Sequence, residues 1–163
     1  MNKYLLLCLI SFVFSARTIS QSGLNLIKEL EGIRLTSYID YDGVLKIGYG
    51  TSNNDFSVTR TNITPGMNIN IKKAEKWLMG SLIKIYTPRV NKYDAIYKWT
   101  QNEFDALISF AYNIGNIDEL TANGSIKKKA IAKKMLGYRY SKGKLITGLV
   151  KRRQIEYNLF KTN

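Results

Sequence analysis

The stretch EGIRLTSYIDYDGVLKIGYGT, residues 31–51, is the most informative part of this chain. Aromatic and β-branched residues, which favour strands, lie on both sides of the dipeptide Asp42-Gly43. An Asp-Gly pair between two such runs is a strong signal of a β-hairpin. Gly48-Tyr49-Gly50 lacks the lysine and hydroxyl residues that end a phosphate-binding loop, so it is interpreted as a second tight hairpin feature. The stretch therefore predicts a small β-structure near the amino end.

A helix is predicted immediately before the hairpin. Leu24, Ile27 and Leu30 repeat at the three-residue spacing of a helix face. Ser22 is the candidate N-cap, and Gly32 ends the segment. The helix is therefore expected to end where the hairpin stretch begins.

The remainder of the chain is mostly helical in pattern. Residues 51–70 are polar and contain a Pro-Gly turn, which predicts a loop or a poorly ordered strand. Four helices are then predicted: residues 71–85, closing before Pro88; 104–114, ended by Gly115; 125–136, capped by Ser125 and stopped by Gly137; and 147–160. The expected fold class is α+β, with a small hairpin-containing N-terminal lobe, a larger helical C-terminal lobe and a cleft between them.

Composition restricts the chemistry that is available. The 163 residues fit one domain, and they include no histidine and a single cysteine, Cys8. Catalytic triads and zinc sites that need imidazole are therefore excluded, as are an internal disulfide and a cysteine metal cage. No metal and no cofactor is expected. Because 25 basic residues oppose 12 acidic ones, the net charge of +13 favours an acidic partner.

The first sixteen residues, MNKYLLLCLISFVFSA, have the pattern of an export signal. Lys3 precedes an apolar run that is shorter than the roughly 20 residues of a stable membrane span, and Ser15 and Ala16 are small residues suited to cleavage. The expected organisation is a signal peptide or short membrane anchor over 1–16 and one domain over 17–163. The segment is expected to export the protein to the periplasm or extracellular space and to allow transient membrane contact. Export argues against a nucleic-acid partner, and a monomer is expected.

Two carboxylates stand out as candidates for chemistry. Glu31 lies at a predicted helix end and Asp40 at a hairpin start. Glycoside hydrolysis needs such a pair, because one acid protonates the leaving oxygen while the other group orients water or attacks the sugar. Leu30 and Ile33 could form an apolar wall that raises the pKa of Glu31. Spacing alone also fits a structural ion pair, and a Glu at a helix C-terminus would gain from an Arg partner.

Three motifs, in order, resemble those of the phage-type lysozymes, the muramidases of bacteriophage endolysins. The first, similar to the family's active-site segment, comprises EGIRL at 31–35, Tyr38, Asp40, Gly43 and IGYGT at 47–51. The second, QNEFDALISFAYNIG at 101–115, is similar to the central helix motif, and the third, GLVKRRQIE at 148–156, to the carboxy-terminal helix. The resemblance spans nearly all of residues 22–160 and implies a lysozyme-like fold.

The resemblance also implies a substrate and a pair of catalytic residues. The substrate would be bacterial peptidoglycan, cut at the β-1,4 bond between N-acetylmuramic acid and N-acetylglucosamine. By position, Glu31 would be the general acid, and Asp40 would position or activate the water. Either Arg152 or Arg153 could approach Glu31, and the sequence leaves that choice open.

Lys46 departs from the pattern, because the family usually has a threonine six positions after the aspartate. A charged lysine can donate hydrogen bonds but cannot accept one, so it cannot replace that hydroxyl. Near Asp40 it is expected to form an ion pair and lower the pKa of that carboxylate. Three interpretations stay open: Lys46 points away while Thr51 or Asp42 helps, it tolerates altered catalysis, or it marks a protein that binds glycan without cleaving it. A cationic membrane-active protein would use the charge and the apolar run but would explain none of the motifs.

Overall fold

The computed structural model describes residues 17–162, so the predicted signal or anchor segment lies outside the described residues. Helix α1 spans Gln21–Glu31, as expected, but its N-cap is Ser20. The prediction of Ser22 is wrong, because Ser20 has the extended backbone of a cap and its hydroxyl accepts the N–H of Gly23 at 3.1 Å. Gly32 ends the helix with a φ of 63°.

The predicted hairpin is confirmed as part of a three-stranded antiparallel sheet. Its strands are β1 (Arg34–Ile39), β2 (Leu45–Gly48) and β3 (Thr51–Ser52), in that order. Ile39 pairs with Leu45 across the first turn, where Gly43 has a φ of 81° that favours glycine. Tyr49 and Gly50 form the second tight turn, between β2 and β3.

The polar segment after the sheet has more structure than predicted. A short 3₁₀ turn covers Asn53–Asp55, and helix α2 covers Phe56–Thr59. The turn begins with a capping box, in which the Ser52 N–H donates to Asp55 Oδ2 at 2.9 Å. Short polar residues of this kind favour both loops and helix starts, so composition alone did not separate the two.

The prediction that the next helix closes before Pro88 is wrong. Helix α3 (Ile71–Ser81) continues through a π-helical turn at Leu82–Tyr86 into α4 (Thr87–Asn91). Pro88 has no N–H and would crowd the preceding turn of a regular α-helix. The wider π turn lies just before the proline, and Pro88 then falls in the first turn of α4, where its missing N–H is tolerated.

The C-terminal lobe is helical, with one small sheet that the sequence did not predict. Its helices are α5 (Asp94–Tyr97), α6 (Gln101–Ile114), α7 (Asp118–Thr121), α8 (Lys128–Met135) and α9 (Thr147–Lys161). The added hairpin is β4 (Tyr140–Ser141) with β5 (Lys144–Leu145). Ser125 does not cap α8; its hydroxyl donates instead to the carbonyl of Ala122 at 2.7 Å.

Helix α6 is the centre of the core and packs against α9, α1 and α4. The apolar face predicted for it is confirmed at Phe104, Leu107, Ile108 and Ala111, which are fully buried, but not at Ile114, which is 43% exposed at the end of the helix. Gly115 ends the helix as expected. The fold is the predicted α+β class, with the small sheet beside a larger helical body. Over residues 17–162, no helix combines the length and hydrophobicity that a membrane span requires.

Candidate active site

A cleft of about 610 Å³ lies between the first sheet and the helices. Both predicted carboxylates, Glu31 and Asp40, line it. The turn at Gly50 and the π-helical turn before Pro88 also contribute lining residues, as does the C-terminal end of α6. The sequence-predicted residues are therefore brought together at one cleft.

Glu31 is the last residue of α1 and is fixed by Arg152. The Arg152 Nη1 donates to Glu31 Oε1 at 2.6 Å, and the Glu31 side chain is only 19% exposed. This contact settles the choice between Arg152 and Arg153. It also supplies a cation where a carboxylate meets the negative end of a helix dipole. The sequence predicted an apolar wall beside Glu31, but Ile33 is 41% exposed. Glu31 instead accepts a hydrogen bond from a guanidinium.

A buried network supports that arginine from behind. Glu156, with no exposed surface, accepts from Arg152 Nε at 3.0 Å, from Arg153 Nη1 at 2.6 Å and from the Ser109 hydroxyl at 2.7 Å. Arg152 Nη2 donates to the Ser109 carbonyl at 2.9 Å. With Glu31, the network contains two positive and two negative groups, so its formal charges cancel. Buried charges are tolerated when paired and hydrogen-bonded in this way.

The charge state of the network follows from its pairing. Desolvation by itself would lower the pKa of Arg152, but Glu31 and Glu156 outweigh it and raise that pKa. Burial raises the pKa of Glu156, and the guanidinium groups of Arg153 and Arg152 oppose that rise. Arg152 therefore remains a permanent donor to Glu31.

The second arginine reaches a different residue of the cleft. Arg153 donates from Nη2 to the side-chain oxygen of Asn113, and its guanidinium lies 4.7 Å from the ring centroid of Phe110. Asn113 is the second-last residue of α6 and lines the cleft. The sequence left a cleft-lining role and a helix-terminal role open for Asn113, and it did not indicate Arg153 as a partner, because that arginine comes from another helix.

Asp40 follows the end of β1 and is held by the hairpin turn. Its Oδ1 accepts the N–H groups of Asp42 at 2.9 Å and Val44 at 2.8 Å, and its Oδ2 lies 2.6 Å from Lys46 Nζ. The register explains the ion pair: Lys46 pairs with Tyr38, so it lies diagonally across from Asp40 on the same face. The hydrogen bond from Lys46, followed by that from Val44, lowers the pKa of Asp40. The predicted ion pair and its effect on the pKa are confirmed.

Two of the three interpretations of Lys46 remain. The one in which Lys46 points away is wrong, because its ammonium contacts Asp40 directly. Thr51 is buried and does not line the cleft, so its hydroxyl is not positioned to help there. Desolvation would lower the pKa of Lys46, but the hydrogen bond and charge of Asp40 raise it overall. Lys46 therefore stays charged beside Asp40.

An aromatic wall faces the carboxylates, and the sequence missed it. Tyr86, in the π-helical turn, and Tyr112, in α6, meet edge to face with ring centroids 5.1 Å apart. The Tyr112 hydroxyl donates to the Tyr49 carbonyl at 2.7 Å. Burial, reinforced by nearby carboxylates, raises the pKa of both cleft tyrosines. The position of Pro88 inside a helical pattern was the one signal that could have indicated an irregular, functional turn.

Carboxylates, amide donors and aromatic rings in one open cleft suit an uncharged polyhydroxylated ligand such as a sugar chain. In the described part of the chain, no group of three or more acidic side chains is arranged to hold a metal ion. The carboxylates of the cleft are oriented by arginine and lysine.

Known proteins are similar to this chain in sequence and in architecture. The phage lysozyme family model matches residues 28–156. The endolysin of Lactococcus phage c2 is 38% identical over 144 residues, which is 87% of this chain and 59% of that relative. This chain therefore spans about three fifths of the length of that endolysin.

Two solved structures are also similar. The endolysin from Escherichia coli O157:H7 phage FAHEc1 has a TM-score of 0.68 and 31% identity, covering 89% of this chain and 94% of its own. The muramidase domain of SpmX from Asticaccaulis excentricus has a TM-score of 0.66 and 27% identity, covering 90% of this chain and all of its own.

Proposed function

Because this chain belongs to the phage lysozyme family, we propose that it is a muramidase. It hydrolyses the β-1,4 bond between N-acetylmuramic acid and N-acetylglucosamine in bacterial peptidoglycan, with Glu31 as general acid and Asp40 as the second carboxylate. The observation that carries the proposal is that one cleft contains both groups in different environments, Glu31 against a buried arginine and Asp40 on the hairpin. Such a pair of carboxylates is what glycoside hydrolysis requires.

Glu31 can deliver its proton from one defined oxygen. Oε1 accepts from Arg152, which has no acceptor to offer, so a proton on Glu31 resides on Oε2. Oε2 lies next to the turn at Gly50, where the Cβ of any larger residue would be 3.6 Å from it. The absence of a side chain at Gly50 leaves that oxygen open to a sugar bound in the cleft. Protonation of the leaving oxygen from Oε2 is thus sterically possible.

Asp40 retains one hydrogen-bonding position for water. A carboxylate offers about four lone-pair sites, and three donors occupy three of them: two backbone N–H groups on Oδ1 and Lys46 on Oδ2. The fourth, on Oδ2, can accept from the attacking water. The lowered pKa keeps Asp40 ionised, as a group that orients water must be.

A second candidate function is glycan binding without hydrolysis, and the Lys46–Asp40 ion pair is the observation that favours it. The ammonium neutralises the charge of Asp40 and occupies one face of Oδ2. A neutralised carboxylate stabilises a cationic transition state less than a free one does. In this alternative the cleft would still bind peptidoglycan.

The test is turbidity loss of a peptidoglycan suspension with the purified chain, beside Glu31→Gln and Lys46→Thr. Glu29→Gln is the matched control, because Glu29 is exposed on the same helix and does not line the cleft. Soluble products are reduced with borohydride and hydrolysed to monosaccharides, and the sugar alcohol formed from the new reducing end is identified by mass spectrometry. A muramidase yields reduced N-acetylmuramic acid at the new ends.

Clearing by the parent and by Glu29→Gln, with loss in Glu31→Gln and muramic acid ends, supports the proposed muramidase. The binding alternative is supported if the folded parent sediments with peptidoglycan without clearing it, while Lys46→Thr does clear it. Reduced N-acetylglucosamine at the new ends would contradict the proposed bond. A parent that neither binds nor clears would overturn both functions.

The proposed substrate lies outside the cytoplasmic membrane, so the chain must be exported. We assign that task to residues 1–16, as a signal or anchor, with residues 17–163 as the catalytic domain. Amino-terminal sequencing of the protein from an expressing culture tests this: a start near residue 17 indicates cleavage, and a start at Met1 in the membrane fraction indicates an anchor. Sedimentation equilibrium of the same material tests the expected monomer.

A further inference from the structure

The buried network delivers a second hydrogen bond to the cleft, at Asn113. A guanidinium only donates, so the atom of Asn113 that Arg153 contacts must be the amide oxygen. The amide orientation is thus set by chemistry, and the Nδ2 group points away from Arg153. Within residues 17–162, Nδ2 makes no hydrogen bond of its own. Asn113 therefore presents the two N–H donors of Nδ2 for binding, while its amide oxygen is engaged by Arg153.

Asn113 is oriented by a buried arginine. Arg153 is 1% exposed, pairs with Glu156 at 2.6 Å and covers the ring of Phe110. Glu156 therefore holds both arginines in place. Arg152 in turn contacts Glu31, and Arg153 contacts Asn113. A side chain oriented by a buried ion pair loses little conformational entropy on binding, which favours a role in recognition.

We propose that Asn113 is a specificity-determining residue that donates from Nδ2 to the acetamido carbonyl of a substrate sugar. This inference rests on the proposed function. A hydroxyl can satisfy either a donor or an acceptor, so a donor-only group gains little selectivity from it. A carbonyl only accepts, and both sugars of the glycan carry one. A site built to donate to a carbonyl disfavours a glycan that lacks it, because its donor is then left unpaired.

The experiment measures binding without turnover, in the Glu31→Gln background. Calorimetric titrations use two neutral probes: a tetramer of β-1,4-linked N-acetylglucosamine, and the corresponding tetramer of glucose, which has a hydroxyl in place of the acetamido group. Asn113→Ala removes the donors, and Asn113→Asp removes them while keeping an oxygen for Arg153. Asn158→Asp is the matched control, an exposed α9 residue outside the cleft that makes the same chemical change.

Both Asn113 variants are expected to bind the acetylated tetramer about tenfold more weakly, with binding of the glucose tetramer and the unfolding midpoint of Asn113→Asp unchanged. Asn158→Asp should bind both probes like its parent. Equal losses for the two probes, or no loss for either, would overturn the role of Asn113 and leave the proposed function standing. Failure of the Glu31→Gln parent to bind the acetylated tetramer would overturn the proposed function and this inference together.

Discussion

The two carboxylates of the cleft are held in opposite ways. Glu31 belongs to a network of four charged groups and a serine, in which Glu156 has no exposed surface. Asp40 lies on a hairpin, where two backbone N–H groups and one partly exposed lysine surround it. One carboxylate is supported by the core, and the other by a local turn.

Because of this difference, mutations near Glu31 and mutations near Asp40 should change the folding free energy by different amounts. Removing one member of a buried charge network leaves other charges without partners, which costs folding free energy. The Lys46–Asp40 pair, with side chains 33% and 14% exposed, is a single pair within one hairpin, so its loss leaves fewer charges without a partner and is expected to cost less. We therefore expect substitutions behind Glu31 to act mainly on folding, and substitutions beside Asp40 to act mainly on function.

The largest effect is expected for Glu156→Gln. Glutamine keeps the shape, but it leaves the charges of Arg152 and Arg153 with a single counter-charge, Glu31. The free energy of unfolding should fall by about 3–5 kcal/mol, measured by urea denaturation at pH 7. Glu29→Gln is the control and should change it by less than about 0.5 kcal/mol. A loss below about 1 kcal/mol in Glu156→Gln would show that the network does not support the helical lobe.

Arg152→Lys should have the next largest effect. The guanidinium donates in three directions, to Glu31, Glu156 and the Ser109 carbonyl, and an ammonium on a flexible stem cannot reproduce that geometry. We expect a loss of about 2 kcal/mol of stability from the unpaired acceptors. A misplaced Glu31 should also lower the rate of peptidoglycan clearing about 100-fold. Lys151→Ala, on the exposed face of α9, is the control, and a fully active Arg152→Lys would contradict the positioning role.

Local signals predicted the parts of the molecule that local interactions form. The Asp42-Gly43 turn correctly predicted the hairpin. The apolar periodicity correctly predicted α6, because the tertiary packing buries the same face. Pro88 and Ser125 misled the prediction, since a wider turn accommodates the proline and the serine bonds to a preceding carbonyl. A proline can also lie in the first turn of a helix, and a serine can also donate to a nearby carbonyl, and the sequence does not exclude either arrangement.

The site was predictable where its residues lie close in sequence, and beyond that the resemblance indicated only that Arg152 or Arg153 could approach Glu31. Glu31 and Asp40 were identified through one short motif, and hairpin spacing was enough to expect the pairing of Lys46 with Asp40. The links from Glu156 to Glu31 and from Arg153 to Asn113 depend on how α9 packs against α1 and α6. Such contacts join residues 40 or more positions apart, and no pattern within one element encodes them.

Lys46→Thr should change how the stability of the hairpin depends on pH. The pKa of folded Asp40 lies below its ordinary value of 3.8, chiefly because Lys46 donates to it. The stabilisation from this pair is therefore complete above that value and is lost as the pH falls through the folded pKa. Urea midpoints of parent and variant should differ slightly at pH 7 and converge in acid. A difference that does not shrink as the pH falls would show that Lys46 stabilises the hairpin by packing rather than by charge.

The smallest effect is expected where the β1–β2 hairpin contacts the β4–β5 hairpin. Lys142 Nζ lies 3.2 Å from Asp42 Oδ1 and 4.7 Å from the ring centroid of Tyr41, with both charged side chains about 60% exposed. A double-mutant cycle of Lys142→Gln and Asp42→Asn should give a coupling below about 0.5 kcal/mol at low salt, vanishing in high salt. A salt-independent coupling above about 1 kcal/mol would contradict this. It would mean that the second hairpin braces the first, so that the Asp40 side of the cleft, like the Glu31 side, would depend on long-range contacts.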